Sequence, residues 1–105
     1  MSRRRASAIR RGQDGQSNVI AERLRAARHL RTPHMTLEVA SLRATRLSGY
    51  SVSRDALVRI ENQQRSVYDF EVVALALALG VDVRFLLGLT DDPGPLELLP
   101  LPDEE

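Results

Sequence analysis

Apolar residues that recur at helical spacing constrain this chain more than any other feature of its sequence. From Asn18 to Gly88 they fall three or four positions apart in five short stretches. The segments between these stretches contain Pro, Gly, Ser or Asn, residues that disfavour the continuation of a helix. The sequence therefore predicts an all-α domain of five helices, flanked by segments without this periodicity.

Residues that cap or stop a helix set the expected bounds of each helix. An N-cap side chain accepts a backbone N–H that would otherwise be unpaired, and the candidates for this position are Asn18, Thr36, Ser53, Asp69 and Asp82. Pro33 and Gly80 favour helix ends. The predicted helices are residues 19–31, 36–46, 53–61, 69–79 and 83–87. Their expected inward-facing residues are Ile20, Leu24, Ala27, Val39, Ala40, Leu42, Leu57, Ile60, Val72, Leu75, Ala76 and Leu79.

Length and composition limit the class of protein. A chain of 105 residues suffices for one small core with tails. The absence of Cys excludes disulfides and thiolate metal sites and favours a reducing compartment, so we expect a cytoplasmic protein. Neither an export signal nor a membrane span is predicted, because no long apolar run is present. We expect a flexible basic arm at 1–17, the helical domain at 18–88 and a flexible acidic tail at 89–105.

Charge is distributed unevenly along the chain. Residues 1–65 contain 14 Arg and 5 acidic residues, a net charge of +9, whereas residues 66–105 contain 1 Arg and 9 acidic residues, a net charge of −8. All 15 basic residues are Arg. Guanidinium groups suit the recognition of phosphate and guanine, although a GC-rich genome would favour Arg codons equally well.

The two tails each have a specific and a non-specific interpretation. The basic arm can bind phosphates or enter a groove of a nucleic acid, or it can be a solvated tail without such a role. The acidic tail has four prolines, which exclude a stable helix, but it also has apolar residues at Leu96, Leu98, Leu99 and Leu101. These leucines are unusually apolar for a disordered segment, so docking against a partner or a second subunit is one interpretation and a disordered tail is the other.

Five motifs occur in order between residues 19 and 88. They are VIAERLRAAR at 19–28, VSRDALVRIEN at 52–62, Arg65, LALALGV at 75–81 and FLLG at 85–88. In this order they resemble the DNA-binding domain of Cro/CI-type phage repressors, the XRE family. The resemblance implies a five-helix helix-turn-helix fold in which the third helix enters the major groove of double-stranded DNA.

The resemblance also implies which residues contact DNA. Arg54, Asp55 and Arg59 correspond to the base-reading positions, and an arginine there can bind guanine O6 and N7. Asp55 has a second interpretation, as the ion-pair partner of Arg59 one helical turn later. The expected phosphate contacts are Thr36, Arg43, Arg46, Ser53, Arg65 and Ser66. Three differences from the family pattern stand out. Thr36 and Leu37 occupy the region where a Gln commonly opens the second helix, Gln63 replaces the usual Gly, and the segment from Met35 to Ser53 is longer.

Other residues of the resemblance imply structural roles. Arg28 and Glu61 are expected to form an ion pair that holds the first helix to the third. A homodimer is expected because one small module binds a limited area of DNA. Its interface is expected to use the apolar fifth helix, with the residues Val83, Phe85, Leu86 and Leu87.

The sequence contains no pattern that predicts an enzyme, a cofactor or a metal site. His29 and His34 have no Cys or acidic cluster beside them and are expected at the surface. The expected function is sequence-specific binding of double-stranded DNA by a transcriptional regulator, most simply a repressor that occupies a promoter. The alternative is a protein-interaction module, such as an antitoxin that binds a partner protein through residues 89–105.

Overall fold

The computed structural model describes residues 16–102, and the predicted basic arm lies mostly outside them. Within this range the chain forms five α-helices and no strand, so the all-α class is confirmed. The helices are α1 (Ala21–Arg28), α2 (Leu37–Ser48), α3 (Arg54–Glu61), α4 (Asp69–Leu79) and α5 (Val83–Leu86). Their number and order are as predicted, although α1 is shorter than expected and α2 extends two residues further.

Local side-chain hydrogen bonds explain where the helices begin. Thr36, Ser53 and Asp82 each accept a backbone N–H of the helix that follows, as predicted. The expected cap at Asp69 is wrong, because Asp69 is the first residue of α4 and Tyr68 takes the N-cap position. The Glu71 carboxylate reaches back to accept the Tyr68 N–H at 2.9 Å, the bond that an acidic residue makes in a capping box.

The core lies around α4, which is buried on most of its circumference. The largest fully buried side chains lie on α1, α3, α4 and α5, just before α1 and in the turn between α2 and α3: Ile20, Leu24, Val52, Leu57, Ile60, Leu75, Leu79 and Leu86. Helix α2 contributes Ala40 and Ala44, each 0% exposed. Small residues let two helix backbones approach each other closely, which explains how α2 packs so tightly without a large apolar side chain.

The expected inward positions Val39 and Leu42 are wrong. Both are exposed, at 43% and 44%, because the buried face of α2 is formed by Ala40, Arg43 and Ala44. These three positions share one side of a helix. The sequence did not indicate this orientation, since it requires an arginine on the buried face.

Residues 90–101, which we call the strap, follow α5 and lie back against the helices. They contain no helix, as the prolines predict, but the prediction of a free flexible tail does not hold for this segment. Leu96 packs against the core. The Leu96 and Leu99 carbonyls accept hydrogen bonds from Arg31 and Arg43, at 2.9 and 2.8 Å. Between residues 16 and 102, none of the helices is long and apolar enough to cross a membrane.

Candidate nucleic-acid interface

Helix α3 presents one side to the core and the other to solvent. The Ser53 Oγ accepts the Ala56 N–H at 3.1 Å and so fixes the start of the helix at the next residue. Leu57 and Ile60 lie three positions apart and are both 0% exposed. Their complete burial determines which residues of α3 face outward.

The exposed side of α3 carries the three residues expected to read bases. Arg54, Asp55 and Arg59 are all exposed. In the described part of the chain, the guanidinium groups of Arg54 and Arg59 have no hydrogen-bond or ion-pair partner. The alternative role of Asp55 as a partner of Arg59 is therefore wrong for this conformation. A solvated pair at this spacing gains only about 0.3–0.5 kcal/mol, which is too little to hold two exposed side chains together.

An ion pair between Arg28 and Glu61 joins α1 to α3, as expected. Arg28 Nε and Nη2 donate to the two Glu61 carboxylate oxygens at 2.8 and 2.9 Å. The two side chains are only 12% and 4% exposed. Arg25 approaches the same carboxylate at 3.4 Å and also donates to the Glu61 carbonyl. The C-terminal turn of α3 is thus fixed against α1.

The connector that follows α3 is fixed by the segment before α1. Gln63 has a φ of 59°, in the left-handed region that favours Gly. Its side chain offsets this strain, because Oε1 accepts the Ser17 and Asn18 N–H groups and Nε2 donates to the Asn18 carbonyl. Asn18 in turn donates to the Ile60 carbonyl at 3.0 Å and accepts the N–H groups of Ile20 and Ala21, where α1 begins. The connector after α3 is therefore hydrogen-bonded to the segment that begins α1.

The turn between α2 and α3, residues 49–53, is also held by side chains. Thr45 Oγ1 donates to the Val52 carbonyl at 3.2 Å and accepts the Val52 N–H at 3.0 Å. Ser41 Oγ donates to the same carbonyl at 2.6 Å. The unusually long segment is therefore a defined turn that positions α3 relative to α2.

Four of the six expected phosphate contacts retain polar groups that can reach a ligand. Thr36 and Ser53 are exposed and cap α2 and α3. A hydroxyl that accepts an amide hydrogen bond can still donate its own O–H to a phosphate oxygen. Arg46 is exposed in the last turn of α2, and Ser66 is half-buried after α3.

The other two expected phosphate contacts are engaged within the protein. Arg43 is 8% exposed, and its Nε donates to the Ala78 carbonyl of α4 at 2.8 Å. A phosphate contact by Arg43 is therefore wrong for this conformation, because α2 directs this side chain toward α4 and the strap. Arg65 donates through both terminal nitrogens to the Glu71 carboxylate at 3.2 Å. It remains 21% exposed, but its charge is largely compensated.

An exposed aromatic cluster was not predicted from the sequence. It consists of Tyr50, Tyr68 and Phe70, and we call it the aromatic patch. Tyr50 lies in the α2–α3 turn, and its ring centroid is 4.6 Å from that of Phe70 at the start of α4. Phe70 also stacks with Tyr68, at 5.3 Å. The three side chains are 38–60% exposed. A signal was present, because the chain has only four aromatic residues and three of them lie between positions 50 and 70.

The expected dimer interface on α5 needs correction. Phe85 and Leu86 are 7% and 0% exposed and belong to the core. The Arg23 guanidinium group lies over the Phe85 ring, 4.5 Å from its centroid. Val83 packs partly against the core, and Leu87 is exposed at 36%. A short helix with two of its apolar residues buried cannot present all four to a second subunit.

The two histidines stack against each other at the end of α1. The ring centroids of His29 and His34 are 4.2 Å apart and the planes differ by 7°. Partial desolvation, followed by the positive charges of His34 and Arg28, lowers the pKa of His29. No group of three or more potential metal ligands occurs among residues 16–102.

Comparison with known proteins adds no further constraint. No protein-family model matches the chain, and it matches no curated protein and no solved structure at a significant level.

Proposed function

We propose that the protein binds double-stranded DNA in a sequence-specific manner, with α3 as the reading helix of a helix-turn-helix arrangement of the Cro/CI type. One observation carries the proposal. Arg54 and Arg59 extend from a helix that is fixed at both ends, and they have no partner within residues 16–102. A rigid element with unpaired guanidinium groups is suited to a ligand that supplies fixed acceptors.

The position of Arg54 supports a ligand with negative charge or acceptor groups. It occupies the first turn of α3, where a cation meets the positive end of the helix dipole and costs about 0.3–1 kcal/mol at the surface. A guanine edge or a phosphate compensates for this unfavourable placement. Arg59 lies more than one turn later on the exposed side, so the two arginines can contact different base pairs.

The residues around α3 supply groups for the DNA backbone. Thr36, Ser53 and Ser66 carry hydroxyls, and Arg46 is an exposed residue that carries a guanidinium group. Tyr50 and Tyr68 of the aromatic patch add two phenolic hydroxyls, which also bind phosphate oxygens. These contacts would orient the protein on DNA, whereas Arg54, Arg59 and Asp55 would distinguish the bases.

A dimer best explains how so small a module would bind with useful affinity. One module buries roughly 600–1,000 Å² on DNA, so two copies on half-sites about one helical turn apart would bind more tightly and more selectively. We infer a cytoplasmic transcriptional regulator, acting as a repressor by occupying its operator, without enzymatic activity.

Selection from a random-sequence duplex DNA pool at about 150 mM salt tests the proposal, since this ionic strength screens non-specific attraction. The wild type is expected to retain a two-fold symmetric motif. Arg54→Ala and Arg59→Ala should each relax the motif at definite positions. Arg84→Ala is the matched control, because Arg84 is exposed but lies on α5 and pairs with Asp82. Retention without any motif would contradict sequence-specific reading, and no retention would contradict DNA binding.

A second candidate function follows from the strap. Leu98 and Leu99 are 41% and 48% exposed on a segment that also carries acidic residues. This surface suits a protein partner, as in an antitoxin, and such binding is compatible with DNA binding by α3. Copurification of a partner that Leu98→Asp abolishes would support this function.

A further inference from the structure

The strap is bound mainly through its main chain. Arg31 Nη2 donates to the Leu79 carbonyl at the end of α4 and to the Leu96 carbonyl, at 2.8 and 2.9 Å. Arg43 bridges in the same way from the Ala78 carbonyl to the Leu99 carbonyl, both at 2.8 Å. Two arginines thus join the C-terminal end of α4 to the strap. We call this site the strap groove.

Gly80 forms the floor of the strap groove. A Cβ atom at this position would lie 2.7 Å from the Glu97 carbonyl oxygen and 2.9 Å from Arg31 Nη2. Both distances are shorter than atoms of this kind tolerate, and one of them involves main chain. The groove therefore admits an extended segment only because no side chain is present at this position.

The connection from Pro93 to Leu96, within the strap, is short and strained. The Pro93 carbonyl accepts the Asp82 N–H at 2.9 Å, which fixes the chain just before the strap groove. Only Gly94 and Pro95 separate this anchor from Leu96, which has a φ of 62°. A leucine in the left-handed region is strained because its Cβ crowds the main chain. Short strained connections favour exchange of the following segment between two copies of a chain.

Burial and charge also favour an exchanged strap. Leu96 packs against the core whereas Leu98 is 41% exposed, so Leu96 is the apolar side chain that an exchanged strap would bury in the other copy. Residues 66–105 carry a net charge of −8 and residues 1–65 a net charge of +9, so the acidic half of one copy attracts the basic half of another.

We propose that two copies of the chain exchange residues 96–101 of their straps, each segment occupying the strap groove of the other copy. The exchange repeats the same Arg31, Arg43 and Leu96 contacts between chains and lets the Gly94–Pro95 connection straighten. It supplies a dimer contact in place of the buried residues of α5. The proposal concerns association alone and does not depend on DNA binding.

Sedimentation of full-length chains tests the exchange. Gly80→Ala obstructs the groove, and Leu96→Asp prevents the strap from packing on the core. Each variant alone is expected to raise the dimer dissociation constant about tenfold or more. An equimolar mixture should restore a dimer, because the intact strap of the Gly80→Ala chain enters the intact groove of the Leu96→Asp chain.

Matched controls separate obstruction of the groove from general damage. Gly49→Ala imposes the same kind of backbone strain, at a φ of 83°, but its Cβ would meet nothing within 4 Å. Leu98→Asp adds the same charge to the strap at an exposed position. Both controls should dimerise as the wild type does. The proposal is wrong if the wild type is a monomer, if both groove and strap variants dimerise normally, or if their mixture stays monomeric.

Discussion

The surface of α3 and the strap groove use the same type of side chain in opposite ways. On α3, Arg54 and Arg59 extend into solvent without a partner in the described residues. In the strap groove, Arg31 and Arg43 each join two main-chain carbonyls. The difference depends on position within the fold, because the groove arginines lie beside carbonyls at the end of α4 and the α3 arginines lie opposite the core.

Several of the arginines that make up the positive charge of the sequence are engaged within the protein, so less positive charge is available for a ligand than the sequence indicates. Arg23, Arg28 and Arg65 are paired with carboxylates, and Arg28 and Arg65 are largely buried as well. Such pairs fix helices and loops in place and add little attraction for a polyanion. The surface that can attract DNA is therefore narrower than the net charge of +9 in residues 1–65 implies.

The largest expected effect comes from the pair that supports α3. Glu61→Ala should lower the free energy of unfolding by about 3–5 kcal/mol, because it leaves the Arg28 guanidinium group buried without its carboxylate. Urea unfolding followed by circular dichroism measures this change. Glu22→Ala is a suitable control, since Glu22 is an exposed acidic residue in the first turn of α1. Equal losses in the two variants would contradict a special role for the pair.

A smaller loss of stability is expected at the strap groove. Arg43→Met keeps much of the aliphatic volume but removes two charge-assisted hydrogen bonds, so unfolding should become easier by about 1.5–3 kcal/mol. We expect the intrinsic affinity of α3 for DNA to change little. This affinity should be measured under conditions where the wild type and the variant are both folded and are present at the same dimer concentration. A loss of DNA affinity without a loss of stability would mean that Arg43 contacts DNA in a different conformation.

On α3 we expect the opposite result, a loss of DNA affinity with little change in stability. Arg59→Ala should weaken binding to the selected operator by about 1–3 kcal/mol, the discrimination that one good arginine–guanine pair provides. Its stability should change by no more than about 0.5 kcal/mol, because the side chain is exposed and has no partner within residues 16–102. Fluorescence anisotropy on the operator and on a scrambled duplex measures the first quantity. Equal weakening on both duplexes would indicate a phosphate contact instead of base reading.

The parts of the fold that were predicted correctly depend on neighbours in the sequence. Ser53 and Asp82 cap the helices that begin at the next residue, so short patterns were enough to locate α3 and α5. The errors depend on distant residues. Nothing near Arg43 indicates that carbonyls of α4 and the strap lie beside it, and nothing near Phe85 indicates that Arg23 covers its ring. Spacing reveals which residues share a helix face, but not which element covers that face.

The smallest expected effect concerns an exposed arginine that does have a partner. Hydrogen bonds from the Arg84 side chain and backbone hold the pKa of Asp82 at about 2, below its ordinary value of 3.8. The folded state therefore favours the carboxylate, and the unfolded chain takes up a proton first as the pH falls. The contribution of Asp82 is fully present above pH 3.8 and is lost as the pH falls through about 2.

The variant Asp82→Asn should isolate this contribution, because asparagine can still cap α5 but carries no charge. Its stability relative to the wild type, measured by urea unfolding at a series of pH values, should be slightly lower near neutral pH. The difference should shrink toward zero as the pH falls through the pKa of Asp82. A difference that does not depend on pH would show that Asp82 acts through its capping oxygen and that its ion pair with Arg84 adds nothing. In that case only the buried arginine pairs would stabilise the fold, and an exposed pair such as Asp82 and Arg84 would not.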